Sequence, residues 1–280
     1  MSTTTRTTHP THPTPAHDAG AGTARRTTSA GRMAALARAE VTLLIRNRTA
    51  LFTALGMPPV MIVSARTTLD RAGIPAETGL STAEVLLTGG IVTVLALVVY
   101  TTLVAAYVSR REELVLKRLR TGEVRDPEIL GATALPAVVI ALLQILLLVA
   151  LGTALWDGQL PERPDLMLAG VALGTVMTAA LAAATAAVTR TVESAQVTAL
   201  PLLVVAFAGS GIAVPLEVFP SGVADVLRVL PLAPIVDLVR GGWVGGLDSA
   251  GTLRALGTAL AWTVVSVLAV RRWFRWEPRG

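Results

Sequence analysis

Hydrophobic positions along this chain gather into six long runs, at 49–65, 85–108, 129–155, 166–188, 197–214 and 253–270, with short polar segments between them. Runs of roughly 17 to 27 residues, rising about 1.5 Å per residue, match a hydrocarbon layer about 30 Å thick, whereas a buried soluble helix seldom needs half that length. The pattern predicts an all-α membrane protein with six transmembrane helices. Composition agrees, since 52% of residues are hydrophobic, only 15% are charged, and the charges sit between the apolar runs. One six-span bundle over 32–275 uses nearly the whole chain. It leaves a polar tail at 1–31 and a short end at 276–280.

Charge placement sets the orientation, because basic side chains near span ends are retained in the cytoplasm. Of the 24 basic residues, all but Arg66, Arg71, Arg163, Arg228, Arg240 and Arg254 fall on one side of the six-run pattern, and the other side is richer in acid. Both termini are therefore expected in the cytoplasm. Lys117 alone is lysine, which with the heavy use of alanine points to a bacterial genome rich in G and C, and so to a bacterial cell membrane.

Absences narrow the chemistry. Cysteine does not occur, which removes disulfides, thiolate nucleophiles and thiolate metal sites. His9, His12 and His17 lie together in the tail among Thr, Pro, Ala and Gly, a composition too poor in apolar surface to offset ordering entropy. The tail reads as disordered. No apolar signal segment precedes residue 50, so the first span is expected to serve as the targeting signal. No metal site and no nucleic-acid partner are expected.

Inside the runs, ionisable residues are essentially missing, and these are what proton and ion relays require. Gln144 is the largest polar side chain well within a span, either lining a substrate path or hydrogen-bonding between helices. Hydroxyls of Thr and Ser are expected to satisfy themselves on their own helix backbone. Pro58, Pro59, Pro136 and Pro201 should kink or open their helices, while Gly89, Gly90, Gly209 and Gly211 permit close helix contact. Gly209-Ser210-Gly211 does not make an intramembrane protease, because no span holds a His or Lys to activate the serine.

Three polar segments carry pattern of their own. Over 32–47, Met33, Leu36, Ala37, Val41, Leu43 and Leu44 share one helical arc with Arg38 and Arg46 opposite and Glu40 interrupting it. That is an amphipathic interfacial helix, a basic anchor or a contact for a cytoplasmic partner. The segment 109–128 is the densest in charge. Glu113 and Lys117 stand at the favourable i, i+4 spacing, Gly122 stops that helix, and Asp126 with Pro127 starts the next. Over 215–251, Val223, Val226, Leu227 and Leu230 form one apolar face and, after Pro231 and Pro234, Ile235, Leu238 and Val239 form another with Asp237 and Arg240 opposite. Two short amphipathic helices at the outer leaflet are predicted there.

At these segments the chain resembles the membrane permeases of type-2 ABC exporters, in particular their daunorubicin-resistance branch. The resemblance rests on Arg111-Glu112-Glu113, Leu116, Lys117-Arg118-Leu119-Arg120 and the helix start at Asp126, and on the proline-rich stretch from Leu230 through Pro231 and Pro234 to Gly242. Where that family often has glycine after its glutamate and Thr-Pro after the basic run, this chain has Glu113 and Thr121-Gly122.

The resemblance implies a translocation path formed by two copies or two similar chains, with the outer helices re-entrant and shielding its outer end. It also implies a separate cytoplasmic ATPase that binds ATP and Mg and is contacted by Arg111, Glu112, Glu113, Lys117, Arg118 and Arg120. This chain has no phosphate-binding Gly-x-x-x-x-Gly-Lys loop of its own, so it is expected to be a non-catalytic transport subunit. The cargo implied is hydrophobic or amphipathic: a drug conferring antibiotic resistance, a lipid or a glycan. A membrane scaffold or sensor subunit and an ion-coupled carrier are the alternatives.

Overall fold

The computed structural model describes residues 81–113, 126–155, 160–209 and 220–273, with Gly31, Thr42, Gly56, Val60 and Ser64 as isolated positions. The tail, the interfacial helix with Arg38, Glu40 and Arg46, the first apolar run, and Lys117, Arg118 and Arg120 lie outside the described residues.

Eight α-helices occur among the described residues. They are α1 (Thr82–Val94), α2 (Thr102–Glu112), α3 (Asp126–Leu155), α4 (Pro164–Val188), α5 (Val192–Gly209), α6 (Ser221–Leu227), α7 (Ala233–Trp243) and α8 (Ser249–Trp273), with a π-helical segment, Leu95–Thr101, joining α1 to α2. Four of the resulting helical stretches are long and apolar enough to cross a membrane: Glu84–Glu112, Glu128–Ala154, Pro164–Val188 and Ser249–Trp273. A shorter apolar helix spans Val192–Phe207. In lipid a chain satisfies its backbone donors and acceptors within each segment, which is why apolar runs of this length become helices.

Local chemistry sets several boundaries. Ser81 caps α1 through a reciprocal pair: its hydroxyl accepts from the Glu84 amide at 3.2 Å, and the Glu84 carboxylate accepts from the Ser81 amide at 2.6 Å. Helix α3 starts at Asp126 with Pro127 in its first turn, as the sequence predicts. Helix α5 starts at Val192, five residues before the expected 197, because Thr191 and Ser194 bond each other's amides through their side chains and so place the cap earlier.

Pro136 and Pro201 stand inside helices that run on through them. The second run is not one uniform α-helix, since its middle turns are π-helical, with the Thr101 hydroxyl donating to the Leu97 carbonyl. Elsewhere hydroxyls behave as expected: Thr133, Thr178 and Ser266 each donate to the carbonyl four residues earlier.

Helix α4 is the centre of the bundle, packed on α7, α8, α2 and the π segment. Its residues at four-residue spacing, Leu166, Gly170, Gly174, Thr178, Ala182 and Ala186, are all buried and mostly small, which lets neighbouring backbones approach. A Cβ on Gly174 would lie 2.7 Å from Leu95 Cδ1 and 2.9 Å from Ile235 Cγ2, so this position seats both the π segment and α7.

The two short helices predicted between the last spans are present, but they differ in setting. Helix α6 keeps Val223 and Val226 outward, 47% and 68% exposed, and buries Ala224. Helix α7 does not lie on the surface. It enters the bundle against α4, α8 and α1, with Ile235, Leu238 and Val239 fully buried and Asp237 and Arg240 half-buried. Trp262 of α8 fastens the turn between them, its indole N–H donating to the Val229 carbonyl at 2.7 Å. Replacing Trp262 by phenylalanine is expected to cost about 1 kcal/mol. A small fall in melting temperature with faster hydrogen exchange over 227–233 would be the sign, and unchanged exchange there would assign the bond no role.

Candidate functional site

Span two ends at Glu112, and the last six residues of α2 are bound to three other helices. The Tyr107 hydroxyl donates to the Leu130 carbonyl of α3 at 3.1 Å, and Arg110 Nη1 lies 3.4 Å from Thr133 Oγ1 one turn further on. Arg111 turns the other way. Its guanidinium is fully buried and donates to the carbonyls of Ala186 at 2.9 Å, Thr189 at 2.6 Å and Arg190 at 3.3 Å. The Ala186 and Thr189 carbonyls belong to the C-terminal end of α4, where carbonyls carry partial negative charge and have no further turn of helix to bond them, and that of Arg190 belongs to the turn that follows.

Glu112 meets the complementary end. Its Oε1 accepts from the Val192 amide at 3.2 Å, the first amide of α5, where the helix dipole favours an anion. Adjacent residues of opposite charge thus hold the two ends that face each other across the Thr189-Arg190-Thr191 turn. Glu113 closes α2 and accepts from the Ser109 hydroxyl at 2.9 Å; both Glu112 and Glu113 are exposed.

Of the six residues expected to contact an ATPase, the structure therefore describes three, on one helix end and in different settings. Arg111 is enclosed by protein, and its fork is spent on α4. The charge-rich sequence around it reads as solvated surface, and only its position on the α2 face toward α4 separates it from Arg110.

A narrow, partly open cleft, with free room for about one water molecule, lies among the π segment, α4, α5 and the start of α7, lined by Ala96, Tyr100, Thr178, Leu181, Leu202, Leu203, Ala206, Pro231 and Leu232. Tyr100 OH and Thr185 Oγ1 are 3.0 Å apart beside it. Pro231 thus joins the cleft, while Pro234 is buried at the start of α7. Gln144 is 2% exposed, enclosed in the bundle and not among the cleft residues. The cleft went unpredicted because the π segment leaves no pattern in sequence; the small-residue row of α4, readable as Gly170-x-x-x-Gly174, was the available sign.

Long apolar helices around a small-residue row define a polytopic membrane protein whose four long helices, among the described residues, carry their charged side chains toward the ends. The chain belongs to the ABC-2 type transporter family, whose family model matches residues 32–243. It is thereby a permease subunit of an ABC transporter, in a family of generally non-catalytic transport subunits that typically work with an ATPase subunit. No curated protein matches the chain.

Proposed function

We propose that this chain is the membrane subunit of an ATP-driven exporter of the daunorubicin-resistance type, with six spans and both termini in the bacterial cytoplasm. A separate ATPase binds ATP and Mg and seats on 110–120 and on the interfacial helix with Arg38, Glu40 and Arg46. Two copies, or this chain and a similar one, form the path. Glu113, Lys117, Arg118 and Arg120 are the side chains offered to the ATPase, and α6 and α7 with Pro231, Pro234, Asp237 and Arg240 are the re-entrant pair at the outer end.

One observation carries the choice of energy source. Among the described residues the buried charged side chains are Arg111 and Glu128, both at span ends, whereas an ion-coupled carrier needs ionisable groups within its spans. The deep insertion of α7 against α4 supports the re-entrant assignment. The last span, with only 17% of its apolar window buried, supports a wide contact with lipid or with a second copy. The cleft is apolar apart from Tyr100 and Thr178 but too narrow for cargo, so a hydrophobic drug, lipid or lipid-linked glycan is assigned to the path between two copies, with Gln144 as an interhelical group rather than a cargo contact.

Reversing charge at Arg118 and Arg120 together is expected to abolish stimulation of the co-purified ATPase while membrane insertion stays intact. Stimulation equal to that of the unsubstituted protein would remove these residues from the contact. Transport that persists without nucleotide and collapses with the proton gradient would favour the carrier. Failure to retain any ATPase would favour the scaffold.

A further inference from the structure

Arg110, Arg111 and Glu112 are consecutive, each turned about 100° from the last around α2, and each addresses a different helix: α3, α4 and α5. We propose that Arg111 and Glu112 are positioning residues that join the ends of α2, α4 and α5 into one rigid unit. A push on 114–125 then moves the α4–α5 hairpin and not span two alone. This rests on the ATPase-driven reading above and says which helices that drive reaches.

The physical reason is the cost of separation. Arg111 cannot leave the end of α4 without stranding a cation and several carbonyls where water does not reach. Its fork spans residues 186 to 190, so it holds the last turn and the connecting turn together. Glu112 is the weaker member, exposed and holding one amide, yet it adds a directional hydrogen bond to the packing of α2 on α5. With Arg111 alone, α4 follows α2. With both, α5 follows too, and α5 is the helix that brings Leu202, Leu203 and Ala206 to the cleft. Motion at the basic end is thereby delivered to the cleft wall.

The chain has no cysteine, so introduced thiols carry spin labels at chosen sites. Two pairs share an outer reference at Leu253→Cys: one with Ser109→Cys on α2, the other with Gln196→Cys on α5. Distances are measured in nanodiscs with the ATPase bound, before and after vanadate trapping, with labelled copies diluted in unlabelled ones. In the otherwise unsubstituted protein both distances are expected to shift together. In Glu112→Ala the 109–253 shift is expected to persist and the 196–253 shift to fall by more than half. Glu112→Gln, which keeps the acceptor, should restore most of it.

A purely local cap would leave the 196–253 shift intact in Glu112→Ala, and that result overturns the inference alone, as would pairs that shift independently in the unsubstituted protein. Loss of both shifts in Glu112→Ala at an unchanged melting temperature would equally overturn it. No shift at either pair in the unsubstituted protein overturns the ATPase-driven reading and this inference with it.

Discussion

Replacing Gly242 by valine is expected to unseat α7 and destabilise the protein by about 3 kcal/mol or more, beyond the ~1–3 kcal/mol usual for an overpacked core. A Cβ at this position would stand 2.7 Å from both Cα and Cβ of Met167. A flexible side chain gives way to such a contact, but this one is largely backbone, in the first turn of the central helix. The same residues are joined by hydrogen bonds that need that closeness: the Arg163 amide donates to the Gly242 carbonyl at 2.9 Å and the Glu162 amide to the Trp243 carbonyl at 3.2 Å. Moving α7 away loses both. Gly257 of α8 is the control, since nothing lies within 4 Å of a Cβ there, and Gly257→Ala should be neutral or stabilising by up to ~1 kcal/mol through helix propensity. Thermal unfolding in detergent, followed by tryptophan fluorescence, separates the two. Overlapping curves would mean that the α4–α7 approach is not what holds α7 in place.

Arg111→Ala is expected to have the second large effect. Hydrogen bonds from a charged donor contribute about 1.5–3 kcal/mol each, and those from Arg111 to Ala186 and Thr189 are at 2.9 Å or less, so a loss of roughly 3–5 kcal/mol follows. The buried carbonyls at the end of α4 would also lose their donor. Lysine at this position keeps the charge but not the planar fork, and roughly half the loss is expected from Arg111→Lys. The exposed Arg190 offers a local reporter. Tryptic cleavage after Arg190 should accelerate in the order Arg111, Lys, Ala. Equal cleavage across the three would show that the turn is held without the guanidinium.

These two sites also show how far a sequence carries. The apolar runs, the start of α3 at Asp126, and the short helices with Val223 and Val226 on one and Ile235, Leu238 and Val239 on the other were readable from spacing. The settings were not. Ile235, Leu238 and Val239 form an apolar face whether that face meets lipid or protein, and only the glycines of α4 make room for protein. Arg111 sits in a run of charges that looks uniformly solvated, and one turn of α2 decides that it faces inward while Arg110 lies against α3. The π segment has no sequence signature, because Leu95–Thr101 is as good an α-helix former as its neighbours.

Sequence by itself determined that this chain is a set of membrane helices with charge kept toward their ends, because lipid offers the backbone no partner and a span must satisfy itself along its own length. Tertiary structure decided which helix meets which. Those choices depend on how closely backbones approach at Gly170, Gly174 and Gly242, and on where a single guanidinium is turned. Such geometry arises only when segments distant along the chain are brought together.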